Sequence, residues 1–342
     1  MGVLAPSFVQ VHPSYVMPEL LMPFSQASQA FEMLPTGAPL TRLSEGDLYA
    51  YIKKIDLRTT IAAGQSAANQ LPGVAFDFSQ IQAPTYLLRC RAQWDHHDTA
   101  AVSKWGVSIN EMHRLGMHQA NFQLQRNGLI YGFNPANGEG LMNAQNAFQA
   151  NLPPDSNNNQ SVGTYDNGEL ALWLLSQVSA LKTRTNQLGI PRKFVMIGPQ
   201  EVLGQMEYQN IVSLVQYQAK GAGSTTTKGV FEDVLGMNQD DLTWGYDDTL
   251  KGKGPGGVDV VLLVMPEVEQ SKPKGGGTIN TNVFAKLNPS MSENLLMLND
   301  MVAPREIPTP MVGGALDVVQ EMRTTSGWAV RSECISILFM AP

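Results

Sequence analysis

The stretch that decides the fold is DHHDTAAVSKWGVSINEMHRLGMHQANFQLQRNGLIYGFNPANGEGLMN, residues 95–143. Within it, Ser108-Ile109-Asn110-Glu111 has the form of a capping box. The Ser108 hydroxyl accepts from an orphan N–H near Glu111, and the Glu111 carboxylate answers to the Ser108 backbone. Ile109, Met112, Gly116, Ala120 and Leu124 then recur at helical spacing, a narrow apolar stripe with small residues in its middle. Arg126 in the last turn and Gly128 just beyond favour a stop there, a cation at the negative end of the helix followed by a cap tolerant of the left-handed region. The spacing predicts one helix over 108–127, about five turns at ~3.6 residues per turn. Its Gly116 and Ala120 are expected at sites of close backbone packing against the closing strands. A Gly/Asn/Pro loop follows and ends on Gly140-Leu141-Met142-Asn143. Upstream, Asp98 is expected to cap a short helix over 99–105, closed by Gly106.

A strand feeds this helical region. Tyr86, Leu88, Cys90, Ala92 and Trp94 fall on one face of an alternating run, with Arg89, Arg91, Gln93 and Asp95 on the other, the pattern of a half-buried antiparallel strand. Residues 47–58 read equally as a short helix or as a partner strand, and a soft stretch rich in Ala, Gly, Gln and Asn separates the two over 62–73. The simplest arrangement is a long two-stranded excursion. Lys53, Lys54 and Arg58 on one side of it, with Arg89 and Arg91 on the other, make the local positive cluster. Two readings of that cluster stay open: a solvated face, or contact with an acidic patch on a neighbouring copy. The second has a physical motive, since a protruding two-stranded ribbon has little reason to stay ordered alone.

The flanks complete the outline. Residues 1–45 carry Pro6, Pro13, Pro18, Pro23, Pro35 and Pro39, a density that favours an extended arm, and the apolar residues along it need a surface to lie on. After a loop over 149–163, Asp166-Asn167-Gly168-Glu169 opens a second helix whose apolar face is Leu170, Trp173, Leu174, Val178, Leu181 and Leu188, stopped by Gly189 and Pro191. Strands are predicted at 193–197, 258–265 and 295–298, with a third helix from Pro199 to about 217. Residues 221–229 read as a loose loop, as do 272–278. Runs at 315–322 and 328–340, joined by Thr324-Thr325-Ser326-Gly327, suggest a closing hairpin. The fold class is α+β.

Composition excludes several functions. Of 342 residues 43% are hydrophobic, only 15% are charged, and the formal charge is −7. A polar but weakly charged surface suits a protein that buries its exterior against copies of itself. No basic run offers phosphate neutralisation along a duplex. Two cysteines, Cys90 and Cys334, are too few for a disulfide framework and point to a reducing compartment. The N-terminal segment lacks the basic and apolar regions of a signal peptide, and Pro6 breaks a myristoylation motif. No apolar run approaches a membrane span. His113 and His118, five apart on a helix, point about 140° away from each other and cannot chelate one ion. The glycine-rich 252–257 lacks the GK[ST] ending of a phosphate loop. No nucleophile elbow, catalytic cysteine constellation or dinucleotide fingerprint occurs. Neither an enzymatic site nor a cofactor or metal site is predicted.

Taken in order, these elements resemble a tailed-bacteriophage major capsid protein of the HK97 fold, and specifically the DUF2184-type family. The resemblance rests on the 86–95 strand feeding the capped helix and on the exit Gly132-Phe133-Asn134-Pro135-Ala136-Asn137-Gly138-Glu139-Gly140-Leu141-Met142-Asn143, similar to a family pattern of a glycine turn followed by Gly-Leu-Leu-Asn. Met142 stands where the family usually has Leu. It rests further on the helix over 169–188 with the Pro191 to Pro199 run, and on the strands around Ala329-Val330-Arg331. The resemblance implies an N-terminal arm (1–45), an extended E-loop (46–97), a peripheral (P) domain with its spine helix (98–143 and 303–342) and an axial (A) domain (144–302). It implies homopentamers and homohexamers closing an icosahedral shell around double-stranded DNA, which is held without sequence-specific binding. Portal protein, and scaffolding or decoration proteins, are the implied partners. The implied location is the virion, assembled in the bacterial host cytoplasm, with no membrane and no cofactor. Some members of the family crosslink an E-loop lysine to an asparagine of another subunit; Lys53 and Lys54 lie in the matching segment, but nothing identifies their partner and no crosslink is predicted. Two alternatives stand beside this reading: an encapsulin-like nanocompartment shell, and a soluble α/β enzyme with an unrecognised site.

Overall fold

The structure is a computed structural model that describes residues 28–34, 39–59, 74–104, 106, 108–185, 187–189, 191–208, 226–267, 297–311 and 315–342. Most of the predicted arm, the tip of the two-stranded excursion and the 272–278 loop lie outside these residues, as do the side chains of Lys53, Lys54 and Arg58. The chain divides into two compact units.

The first unit holds Leu87–Leu124 and Ala303–Met322. Strand β2 (Val74–Trp94) runs into it, followed by helices α1 (His96–Ser103) and α2 (Ile109–Ile130), and strands β8 (Arg305–Pro310) and β9 (Leu316–Thr325) return later in the chain. With β1 (Tyr49–Thr59) these form a four-stranded sheet in the order β1-β2-β9-β8. The alternation read from the sequence holds: Leu88, Ala92 and Trp94 are buried while Arg89, Arg91 and Gln93 are exposed. Ala92 and Trp94 close with Met117 and Val318 into one small core, with Cys90, Ile109 and Leu316 at its rim.

The helix itself departs from expectation in two ways. Its buried face is not Met112, Gly116, Ala120 and Leu124, all of which are exposed, but the row through Ile109, His113, Met117 and Asn121. That row carries two polar side chains, and each has a remote partner. The His113 ring stacks on Trp94 at 4.9 Å, and the Asn121 amide donates to the Gln320 side chain at 2.6 Å. Nor does Gly128 end the helix, which runs on to Ile130. Gly128 is instead packed under the Phe133 ring, where a side chain has no room. At the other end Ser108 accepts from the Glu111 N–H at 3.5 Å, a weak version of the predicted cap. The short helix starts earlier than predicted. Asp95 is its cap, and Asp98, expected as the cap, is the partner that answers to the Asp95 N–H in a complete capping box.

The second unit holds Ser28–Tyr86, Gln125–Val302 and Arg323–Pro342. Its centre is a five-stranded sheet ordered β3-β11-β6-β4-β5, built from β3 (Phe148–Asn151), β4 (Lys193–Gly198), β5 (Asp241–Tyr246), β6 (Asp259–Val264) and β11 (Ile335–Met340). All six residues of β6 and of β11 are buried. Each fully buried Val, Leu or Ile stabilises by roughly 1.5–3 kcal/mol, so this sheet is the main core. Helix α3 (Asn167–Arg184) packs on it with α5 (Thr227–Met237), and α4 (Gln200–Tyr208) packs on α5. Asp166 caps α3 as expected, accepting from Gly168 and Glu169 at 3.0 Å each, and Leu170, Leu174, Val178 and Leu181 face inward. Leu188 does not, because α3 stops at Arg184 and leaves it exposed. Helix α5 begins where the sequence suggested loose loop.

The predicted closing hairpin is absent. Strand β9 belongs to the four-stranded sheet, whereas β11 pairs with β3 and β6 in the other. Between them, β10 (Trp328–Ala329) pairs with β7 (Met297–Leu298). The Ser326-Gly327 corner prevents the simple return, because it is tied to helix α2: the Gly327 N–H and the Ser326 hydroxyl both donate to the Gly128 carbonyl, at 2.9 and 3.0 Å.

Candidate functional site

Two features of this fold concentrate its unusual geometry: a glycine corner below α2, and the two-stranded ribbon rooted beside it. After Ile130 the chain enters the left-handed region at Gly132 (φ 75°) and again at Gly140 (φ 85°). A Cβ on Gly140 would lie 2.4 Å from the Gly132 nitrogen, so only glycine fits. The Gly140 N–H donates to Gly327 at 2.7 Å, bringing the exit of α2 against the turn after β9. A Cβ on Gly327 would meet the Leu129 carbonyl oxygen at 2.5 Å. Asn143, last residue of the GLMN tetrad, donates its amide to the Tyr131 carbonyl at 2.7 Å and to the Glu139 carbonyl at 3.1 Å.

Glu139 sits inside this corner with no solvent exposure. Its carboxylate accepts from the Tyr86 hydroxyl at 2.8 and 3.0 Å and from the Asn134 N–H at 3.0 Å. The Tyr86 ring meets Phe133 edge-on at 5.0 Å. Burial, the hydrogen bond to Glu139 and its charge together push the Tyr86 hydroxyl well above the ordinary phenol range. A carboxylate enclosed in this way has no face open to a substrate. It is a fastener between the exit of α2 and the base of the ribbon.

The ribbon is β1 paired with the first half of β2, in register from Tyr49↔Pro84 to Thr59↔Val74. Its root is held by Arg323, which donates to the Asp47 carbonyl at 3.1 Å and to the Thr85 hydroxyl at 3.0 Å. Thr85 in turn donates to Asp47 and Leu48. Tyr49 and Tyr51 are exposed near that root, with ring centroids 6.3 Å apart.

The register places Lys53 opposite Gln80, Lys54 opposite Ser79 and Arg58 opposite Ala75. Arg89 and Arg91 lie farther along β2, outside the stretch paired with β1, so the five basic residues are not brought together across the ribbon. Arg89 pairs with Glu321 at 2.7 Å and Arg91 with Asp317 at 2.8 Å. Sequence reading missed Glu139, Gly327 and Arg323 as determinants. The only signal for Glu139 was its position between two glycines of a motif otherwise read for its turn.

Among the described residues no group of three or more His, Cys, Asp or Glu converges as a metal site would, and no helix is long and apolar enough to cross a membrane. The His96 and His97 rings lie 3.9 Å apart, tilted by 40°, on the exposed α1.

Comparison with solved structures gives the architecture its place. The capsid of Myoviridae phage XM1 superposes with a TM-score of 0.67 at 9% identity, over 96% of this chain and 96% of that one. The fold is the HK97-like capsid fold. A structure from mycobacterium phage Che8 matches with a TM-score of 0.56 at 11% identity over 97% and 98% of the two chains. The capsid of cyanophage P-SCSP1u matches with a TM-score of 0.56 at 12% identity over 98% and 93%. No protein-family model and no curated protein matches the chain, so the finer DUF2184-type resemblance has no such match behind it.

Proposed function

We propose that this protein is the major capsid subunit of a tailed bacteriophage, assembling through homopentamers and homohexamers into an icosahedral shell around double-stranded DNA. The observation that carries the reading is end-to-end likeness: 96% of this chain and 96% of the Myoviridae phage XM1 capsid chain superpose. Low charge content and a formal charge of −7 support it, because a container that fills and empties should not grip phosphate tightly.

In this reading residues 1–45 are the arm, 46–97 the E-loop, 98–143 and 303–342 the P domain and 144–302 the A domain, with β11 completing the sheet of the A segment. Lys53, Lys54, Arg58, Arg89 and Arg91 serve contacts between subunits. The protein works as a structural element, not an enzyme, and its partners are further copies of itself, a portal protein, and scaffolding or decoration proteins. Its place is the virion, reached from the host cytoplasm.

Expression of the full chain followed by sedimentation velocity and negative-stain microscopy tests this. Capsomers or closed shells are expected. A chain that stays monomeric at all concentrations would refute the proposal, and shells that enclose a protein cargo instead of nucleic acid would make it a nanocompartment.

A further inference from the structure

The outer face of the sheet in the first unit is built to present arginine. On β2, Arg89 and Arg91 point away from the Ala92–Trp94–Met117–Val318 core, and Arg305 on β8 lies on the same face, opposite Glu321 in the register. Two carboxylates on β9 hold all three: Glu321 pairs with Arg89 at 2.7 Å and with Arg305 at 3.3 Å, and Asp317 pairs with Arg91 at 2.8 Å. The two sides of these pairs differ in access. The arginine side chains are 62%, 57% and 52% exposed, whereas Glu321 and Asp317 are only 13% and 14% exposed. The acids lie underneath, and anything that approaches this face meets guanidinium first.

Arg91 donates its Nε–H to Asp317, and Arg89 sets its Nε against Glu321 in an ion pair. A guanidinium carries five donors, so its terminal amino groups are left for another acceptor. Two such groups on alternate residues of one strand are about 6.6 Å apart along it. The rest of the face mixes in apolar surface, with Leu87, Ile307 and Met311 exposed beside the charges. Arginine set among exposed apolar side chains is the composition of a protein–protein interface. Phosphate is disfavoured here, because Glu321 and Asp317 lie directly beneath the guanidiniums and offset their charge. The chain also supplies the matching charge, since it carries 30 acidic residues against 23 basic ones.

From this geometry we propose that the Arg89–Arg91–Arg305 face docks a carboxylate-bearing surface of a second copy of this chain. The inference rests on the shell reading and deepens it. Asp317 and Glu321 act as positioning residues that aim the guanidiniums outward, so the contact is preorganised and sensitive to salt.

The test compares the wild-type chain with R89E/R91E and with R89Q/R91Q, by sedimentation velocity and negative stain over a series of protein and NaCl concentrations. Circular dichroism checks the fold of each. Wild type is expected to form particles. R89E/R91E is expected to stay at subunit or capsomer size, and R89Q/R91Q to need at least about tenfold more protein to assemble. Should R89E/R91E misfold next to Glu321, the neutral pair carries the test alone. Two results overturn the docking proposal while leaving the shell standing: variants that assemble at the wild-type concentration, or variants whose shells form normally but lose bound nucleic acid, which would make phosphate the partner. A wild-type chain that never leaves the monomer overturns both proposals together.

Discussion

The hydroxyl of Tyr86 reaches both carboxylate oxygens of Glu139, at 2.8 and 3.0 Å, across 53 positions of sequence. This pair fastens the base of the ribbon to the exit of α2. Tyr86→Phe deletes the donor and leaves the buried carboxylate with the Asn134 N–H. The expected loss is about 1.5–2 kcal/mol, the low end for hydrogen bonds to charged groups, measured by urea denaturation.

The same pair gives the protein an alkaline limit. Tyr86 has its folded-state pKa raised above the ordinary value of 10.0. Its contribution to stability is therefore complete below about pH 10 and declines as pH rises through the folded value. Thermal melts between pH 8 and 11 should show a falling melting temperature above pH 10, with a shallower fall in Tyr86→Phe. An equal slope in both proteins would remove Tyr86 as the cause.

Lys182 and Asp240 form a buried pair, with the ammonium 2.7 and 2.5 Å from the two carboxylate oxygens and the Arg192 N–H donating to the same acid at 2.9 Å. Lys182→Met strands the carboxylate, so destabilisation of about 3–5 kcal/mol is expected. Replacing both partners with apolar residues should restore most of it. A chemical-denaturation comparison of the single and double variants reads the difference directly.

Substitutions at two glycines, one within α2 and one in the corner packed on its last turn, should have opposite signs. A Cβ on Gly116 meets nothing within 4 Å, and alanine there should stabilise by about 1 kcal/mol through helix propensity. A Cβ on Gly327 lies 2.5 Å from the Leu129 carbonyl oxygen and 2.6 Å from its Cα, backbone that cannot move aside. Gly327→Ala should cost about 2 kcal/mol or more. Melting temperatures of the two variants, moving in opposite directions, are the check.

Cys334 is buried, and burial first, with the nearby Glu333 charge second, pushes its thiol up to about 12. The thiolate is the reactive form. Iodoacetamide at pH 8 should therefore leave Cys334 untouched in the folded protein and label it after denaturation, as read by peptide mass spectrometry. Labelling at native conditions would show that the β11 region opens.

Removing 61–71 leaves every registered pair of the ribbon, to Thr59↔Val74, and its Arg323-held root in place. The subunit should keep its melting temperature while its shells fail or become fragile in microscopy. Normal shells would show that this segment is not a clamp between subunits.

Much of the fold was legible locally. The alternation from Tyr86 to Trp94 marked a strand with one wet face, Asp166 marked the start of α3, and the apolar run ending at Met265 marked the buried β6. The misreadings have one physical source. Apolar counting chose the Met112–Leu124 stripe of α2, but the buried face carries His113 and Asn121, which are tolerated there because Trp94 and Gln320 come to meet them. Gly128 looked like a cap because the residue that explains it, Phe133, acts through space.

Residue pattern alone determined the 86–94 strand with its wet face, the start of α3 at Asp166 and the glycine turn before the Gly140-Leu141-Met142-Asn143 tetrad, because these depend on neighbours within a few positions. The tertiary structure decided the rest. It sent β9 and β11 to different sheets, made Glu139 a buried fastener, extended α2 past Gly128, and set Arg89 and Arg91 above Glu321 and Asp317. Each of those outcomes depends on a hydrogen bond, ion pair or ring contact whose partner lies in a distant part of the chain, and such a contact has no periodicity to read.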